Sequence, residues 1–307
     1  MALLIGTREG VFRSADATFD AVEQVLDSGN TLRVRTFEES VFAASKTGLY
    51  RSEDGMTWTN LDVPREEVFS VVVNPDGERL YAGTHPAHLY VSTDDGETWS
   101  ECEGFQDLPS REEWHTPRHR NEAHIRSLGV HPDEPARVIA GVEVGGIHVS
   151  EDNGETWSER SDGLQNDVHH VLVLAADEYI ASCGGGLYRT RDSGESWTRL
   201  DSEIEHRYFR EAFAADERMY AAAARGPPGT WRGENGADAA LFESPDSGET
   251  LERVLYPGAP DEFVLAWTAF EGRVLAGTTD GRVIARESDG WQTVGSVPTQ
   301  IRSLAAI

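Results

Sequence analysis

One eight-residue phrase recurs six times along the chain, and that recurrence limits the fold more than any single residue does. The copies read Ser52-Glu-Asp54-Gly-Met-Thr-Trp58, Ser92-Thr-Asp94-Asp-Gly96-Glu-Thr-Trp99, Ser150-Glu-Asp152-Asn-Gly154-Glu-Thr-Trp157, Thr190-Arg-Asp192-Ser-Gly194-Glu-Ser-Trp197, Ser244-Pro-Asp246-Ser-Gly248-Glu-Thr-Leu251 and a worn Ser288-Asp289-Gly290-Trp291. Self-similarity at such spacing means stacked supersecondary units that bury their faces on one another.

Each copy follows two short apolar runs split by a small-residue turn, such as Leu80-Tyr-Ala-Gly-Thr84 with His88-Leu-Tyr-Val91, and Val138-Ile-Ala-Gly141 with Gly146-Ile-His-Val149. That pattern predicts a hairpin. A further apolar run precedes the pair, Val68 to Val73 or Ile125 to Val130, and ends in the turn residues Asn74-Pro-Asp-Gly77 or His131-Pro-Asp-Glu134. A last short strand after the phrase completes four antiparallel strands per unit. Such units arrayed radially make an all-β propeller, which protects its sheet edges against neighbouring blades. Second strands at Ala2 to Gly6, Val41 to Ala44, Leu80 to Ala82, Val138 to Ala140, Tyr179 to Ala181, Met219 to Ala222 and Val274 to Ala276 predict seven four-stranded blades in a single domain, 1–307. The first unit lacks an inner strand and the chain ends with a spare one, Gln300-Ile-Arg-Ser-Leu-Ala-Ala-Ile307, similar to Ala123-His-Ile-Arg-Ser-Leu128. The C-terminal strand is therefore expected to join the N-terminal blade and close the ring.

Acidic residues number 54 against 27 basic ones, a net charge of −27, and Lys46 is the only lysine. This balance looks like a cytoplasmic protein of a salt-accumulating halophile, because in molar salt the Debye length of about 3 Å screens self-repulsion. It argues against nucleic acid and anionic membranes as partners, since no basic stripe is available. No run approaches the roughly 18 apolar residues of a membrane helix, and Met1-Ala-Leu-Leu-Ile5 reads as a blade strand rather than a leader. Cys102 and Cys183 are too few for a disulfide framework or a thiolate metal site. A monomer is expected.

Within the phrase, an Asp can accept hydrogen bonds from backbone N–H groups of its own turn, the Gly supplies positive φ, and the Trp packs between blades. A calcium loop built on Asp94, Asp95 and Glu97 would have too few well-spaced oxygens. The phrase resembles the Asp-box, or bacterial neuraminidase repeat, S-x-D-x-G-x-T-W, of the sialidase-like propeller superfamily. The Ser52 copy is one residue short, Leu251 replaces the Trp, and the first blade keeps only Ser14, Asp16 and Phe19.

Strand direction puts the Asp-boxes on one face of the disc, the lower, and the starts of the inner strands on the other. The insertions 101–123 and 224–240 fall on this upper face, and long loops in a compact domain are usually functional or disordered. The first adds Trp114, His115, Arg118, His119 and Arg120. The inner-strand starts add Arg33, Arg35, Glu67, Phe69, His124, Arg126, Asp167, His169, His170, Arg207, Tyr208, Arg210 and Arg302, and Glu143 lies in an adjacent turn. Planar Arg forks suit carboxylate or phosphate. The expected partner is thus a small anionic or polyhydroxylated ligand, bound by Trp114, His124, Arg126, His169, Arg210, Arg33 and Arg302. The bland alternative is a wet channel whose polar groups satisfy one another. No cofactor and no metal are assigned, although His124, Glu143, Asp167 and His169 could surround a divalent ion if they meet.

Trp114-His-Thr-Pro117, His124-Ile-Arg126, Gly141-Val-Glu143-Val-Gly-Gly146, Asp167-Val-His169 and Arg207-Tyr208 resemble soluble prokaryotic Asp-box propellers labelled glycosyl hydrolase or sialidase-like. That resemblance implies a site at the upper mouth. A sialidase-like glycoside hydrolase or lyase acting on a sugar acid would draw its catalytic groups from Glu143, Asp167 and Tyr208. Against it, the early Arg-Ile-Pro signature of sialidases is replaced by Ile5-Gly-Thr-Arg-Glu9, and those enzymes usually have six blades. A protein-interaction scaffold, similar to photosystem assembly-factor propellers, is the third alternative.

Overall fold

The computed structural model describes residues 1–232 and 236–307. They form seven four-stranded antiparallel sheets arranged as the blades of a β-propeller. Blade 1 contains Leu3–Thr7, Gly10–Ser14 and Val22–Leu26, and its innermost strand is the C-terminal Ile301–Ala306. Blades 2 to 7 begin at the axis with Thr31–Phe37, Val68–Val73, His124–His131, Val168–Val173, Tyr208–Ala215 and Val264–Phe270. Ring closure pairs Leu3 with Ala306, Leu4 with Ala305, Ile5 with Leu304 and Gly6 with Ser303.

Second strands are near-continuous apolar runs because both their faces pack against neighbouring blades. Tyr179–Cys183 and Leu80–Thr84 are buried throughout. Outermost strands shrink to as little as the pair Thr59–Asn60 and stay exposed. Between blades 1 and 7, for example, Leu3, Ile5 and Phe12 pack with Ala266, Phe270 and Leu275.

The boxes are turn devices. Ser92 donates to Asp94 Oδ1 at 2.7 Å and accepts from the Gly96 N–H at 2.8 Å, while Asp94 accepts from the Thr98 N–H at 2.9 Å and the Thr98 hydroxyl at 2.5 Å. Asp152 repeats the pattern with Ser150 and Thr156. Hydrogen bonds led by those from Thr57, Ser196 and Ser244 hold Asp54, Asp192 and Asp246 down at about 2. The turn needs positive φ at two consecutive positions: Asp95 and Gly96 stand at 58° and 89°, Asn153 and Gly154 at 61° and 91°. Box tryptophans tie blades together, with Trp99 Nε1 donating to Leu61 O and Trp197 Nε1 to Arg160 O, both at 2.8 Å. Asp152→Ala should therefore lower stability by about 1 kcal/mol, as loss of a side-chain cap does. A denaturant midpoint shift with unchanged slope checks this.

Every innermost strand carries a register irregularity near its upper end, where one strand has an extra residue. The residues passed over are Leu32, Phe69, Arg126, His169, Arg210 with Glu211, Leu265 and Arg302. A bulge re-aims a side chain. Here the bulges form a ring around the top of the axial channel.

Candidate functional site

Six of those bulge residues, Leu32, Phe69, Arg126, Arg210, Leu265 and Arg302, line a pocket of about 20 Å³ together with Arg33. That space holds about one water, so a ligand must rest above it and reach in with a single group. Among the described residues neither Arg210 nor Arg302 has a carboxylate within 4.0 Å. Arg210 donates to the Tyr208 hydroxyl at 2.9 Å. Burial, then the positive charge of Arg126 and Arg8, pushes the Arg302 guanidinium down to about 10.

Arg126 leans the other way, onto Glu143, whose carboxylate also meets His124 Nε2 at 3.1 Å and His119 Nε2 at 3.5 Å. Burial alone would raise the Glu143 carboxyl, but Arg126 and the histidines hold it well below the usual range. It is 3% exposed and ionised. Backbone bridging between blades 4 and 5 sets Glu143 opposite Asp167. Asp167 lies 3.5 Å from His169 Nε2 and 3.8 Å from Arg118. The His169 ring, buried, donates from Nδ1 to Phe209 O at 2.5 Å and stands 4.9 Å from the Tyr208 ring. Ligand atoms of Glu143, Asp167 and His169 all lie within 4.8 Å of one another.

Below this layer the channel is plugged. Glu211, buried, sits 3.2 Å from Arg33, 3.3 Å from Arg35 and 3.5 Å from His170. A second cavity of about 480 Å³ opens beneath the plug towards the lower face and is largely apolar, with Val71, Leu172 and Leu304 among its walls. The largest cleft, about 890 Å³, lies on the lower rim between blades 2 and 3 beside Glu38, Glu39, Glu53 and Glu78. Its acidic lining repels anions, and it shares no residue with the upper mouth.

Glu143, Asp167, Tyr208, His124, Arg126, His169, Arg210 and Arg302 thus stand around one mouth. One ligand-binding candidate lies elsewhere, and another, Arg33, lines the pocket with its charge already engaged. Trp114 is 2% exposed, packed on Phe105 and His148 with its Nε1 donating to Ser110, because a large indole gains more from burial than from roofing a polar site. It anchors the insertion. Arg33 follows the bulge at Leu32, and its charge is spent on Glu211 in the plug. Tyr208 has its phenol raised above the usual range by burial, and among the described residues no carboxylate is hydrogen-bonded to it. The tyrosine–glutamate pair of a sialidase is therefore not assembled.

Two residues, one beneath the mouth and one beside it, escaped sequence reading. Glu211 had a visible signal, a carboxylate beside Arg210 inside an inner strand otherwise aromatic and small. Trp231, from the second insertion, stands 5.9 Å from the Tyr208 ring, and only the Pro227-Pro228-Gly229 turn before it hinted at order. The turn at His119, Arg120 and Asn121 has φ of 50°, 59° and 62°, three successive left-handed residues. It is held down by His119 on Glu143 and by Arg120 on Glu67 at 2.8 Å. Strain of this kind persists only where the surroundings over-determine it.

Acid should weaken the ring in two stages. Burial lowers His124 and His148 to about 4 and His170 to about 3. The unfolded chain protonates these rings near 6.5 while the folded one does not, so stability falls as pH drops below about 6.5. Box aspartates, at about 2 when folded, add a further loss from about pH 4 downward. Thermal melts should show midpoints already falling between pH 6.5 and 5. A flat profile to pH 4.5 would contradict the buried neutral histidines.

Comparison with known proteins places the chain among propellers. Residues 6–124, under half of the chain, match the family described as the DUF6242 beta propeller domain. No curated protein matches. Among solved structures, an ancestral GH74 enzyme is similar with TM-score 0.67 at 16% identity, over 85% of this chain and 38% of that one. The GH74 xyloglucanase from Xanthomonas campestris has TM-score 0.62 at 16% identity, over 86% and 45%. YCF48 bound to D1 peptide has TM-score 0.59 at 16% identity, over 86% and 81%. The chain spans less than half the length of these GH74 enzymes, and identities this low speak for the fold alone.

Proposed function

We propose that the upper mouth binds a small polar anion, a carboxylate or phosphate compound, through the forks of Arg210 and Arg302. The observation that carries this reading is that Arg210 and Arg302 line one pocket with no carboxylate within 4.0 Å of either among the described residues, in a chain where acids outnumber bases 54 to 27. Most arginines of the chain meet an acid, although among the described residues Arg51, Arg65, Arg111 and Arg253 do not, and crowding Arg302 against Arg126 and Arg8 raises energy that an anion would relieve. Arg126 positions Glu143 and contributes its field. Trp231, half-buried, offers a face against which the rest of the ligand can lie. The acid surplus suits a monomer working in a salt-rich cytoplasm, where a partly enclosed anion contact is screened less than the open surface.

Hydrolysis of a sugar acid is the second reading, favoured by carboxylates of Glu143 and Asp167 within 4.8 Å of each other, near the roughly 5 to 5.5 Å of retaining glycosidases. Such an enzyme needs one carboxyl protonated at working pH, and Glu143 is held ionised by Arg126. Binding without hydrolysis is therefore preferred. An apolar docking face for a protein partner has less support. Among the described residues the exposed large hydrophobics are Met1, Met56 and Leu255, on separate blades.

Calorimetric titration with phosphate and with glucuronate tests the proposal. Wild type should bind at least one of them with one-to-one stoichiometry, and Arg302→Ala should weaken that at least tenfold with the melting midpoint unchanged. Equal affinity in wild type, Arg302→Ala and Arg210→Ala would overturn it.

A further inference from the structure

We infer that Glu143, Asp167 and His169 form a binding site for a divalent first-row cation, of the Mn²⁺ or Zn²⁺ class, at the rim of the channel. The inference is independent of anion binding.

Its starting point is the tautomer of His169. Nδ1 faces the Phe209 carbonyl oxygen at 2.5 Å and must carry the proton to donate there. In the neutral ring Nε2 then presents a lone pair, and that lone pair faces Asp167 Oδ1 at 3.5 Å. The contact has no hydrogen bond in it, and Oδ1 is buried without a partner. Two lone pairs opposed in a buried place repel unless a proton or a cation stands between them. A histidine whose other nitrogen donates to a backbone carbonyl, its ring orientation fixed by burial at 1% exposure, is arranged as metal-ligating histidines are.

The third ligand is Glu143 Oε1. Arg126 and His124 occupy Oε2, while Oε1 meets only His119, at 3.5 Å. Atoms about 2.1 Å from a shared ion stand about 3.0 Å apart when adjacent and about 4.2 Å when opposite. Against the 4.8 Å limit on the present triad, the contraction asked is at most about 0.6 Å for an opposite pair and at most about 1.8 Å for an adjacent one. Two carboxylates and one imidazole suit Mn²⁺, Fe²⁺ or Zn²⁺ better than a soft ion. His119 on Oε1 would have to give way, and Arg118, half-exposed, reaches Asp167 from the insertion at 3.8 Å and can swing away. Gly184 leaves the space Asp167 needs, since a Cβ there would meet Oδ2 at 2.2 Å.

The test uses the full chain stripped with chelator and titrated with Mn²⁺, followed by electron paramagnetic resonance of bound and free ion. One equivalent should bind at least tenfold tighter than the diffuse background of the acidic surface. Asp167→Asn and His169→Gln should each weaken it at least tenfold, and Asp152→Ala should leave it unchanged. Because a variant can misfold, the wild-type complex is also examined for spin-echo modulation by an imidazole nitrogen. Absence of a tight equivalent, absence of that nitrogen coupling, or a folded Asp167→Asn variant with wild-type affinity would each overturn the site.

Discussion

Deleting the last eight residues, from Gln300, is expected to abolish cooperative folding. The strand Ile301–Ala306 is the innermost of blade 1 and pairs with Leu3–Thr7 along its length. Its removal also strips blade 2, because Ser303 Oγ accepts from the Val34 N–H at 2.9 Å and the Thr36 hydroxyl donates to Ala306 O at 2.8 Å. Ile301 and Leu304 are buried at 0% and 2% exposure, and each contributes about 1.5 to 3 kcal/mol. Together with a lost ladder and one newly unpaired edge, the total reaches the 5 to 15 kcal/mol that holds a whole domain. The truncated chain should precipitate or melt without a transition, and a peptide of residues 300–307 added in trans should restore part of the signal. A truncated chain with the parent's midpoint would contradict the closure.

Glu211→Ala should cost about 3 to 5 kcal/mol, the range for removing one member of a buried ion pair. It leaves Arg33 at 8% exposure with no anion, and Arg35 and His170 without their shared partner. Replacing Arg33 and Glu211 together by Met and Leu should recover much of the loss, because an apolar pair of similar volume avoids desolvating either charge. Chemical denaturation of the single and double variants gives the coupling directly. A single variant within 1 kcal/mol of wild type would mean that the plug is solvated.

Local chemistry was legible where a turn or a strand pair depends on residue type. The repeated turn needs a short acceptor and a glycine, so its letters survive even in the shortened Ser52 copy, where Asp54 still takes the Met56 and Thr57 N–H groups at 2.8 Å. The spare strand at the C-terminus was legible because it resembles other inner strands. Bulges were not, since register carries no letter of its own: Leu32, Phe69, Arg126, His169, Leu265 and Arg302 have little in common beyond their place. Reading charge alone therefore placed Arg33 at the mouth, where it does line the pocket, but passed over Glu211, which takes up its charge from beneath. Trp114 misled for a different reason, because an aromatic in a polar insertion can as well anchor the loop as face a ligand.

Anomalous diffraction from crystals grown with selenate tests the central claim, recognition of an anion by unpaired arginines at the upper mouth. One ordered selenate bridging Arg210 and Arg302, lost in Arg302→Ala crystals, is the predicted result. Selenate found only on the outer rims, with water alone between those two guanidinium groups, would contradict it.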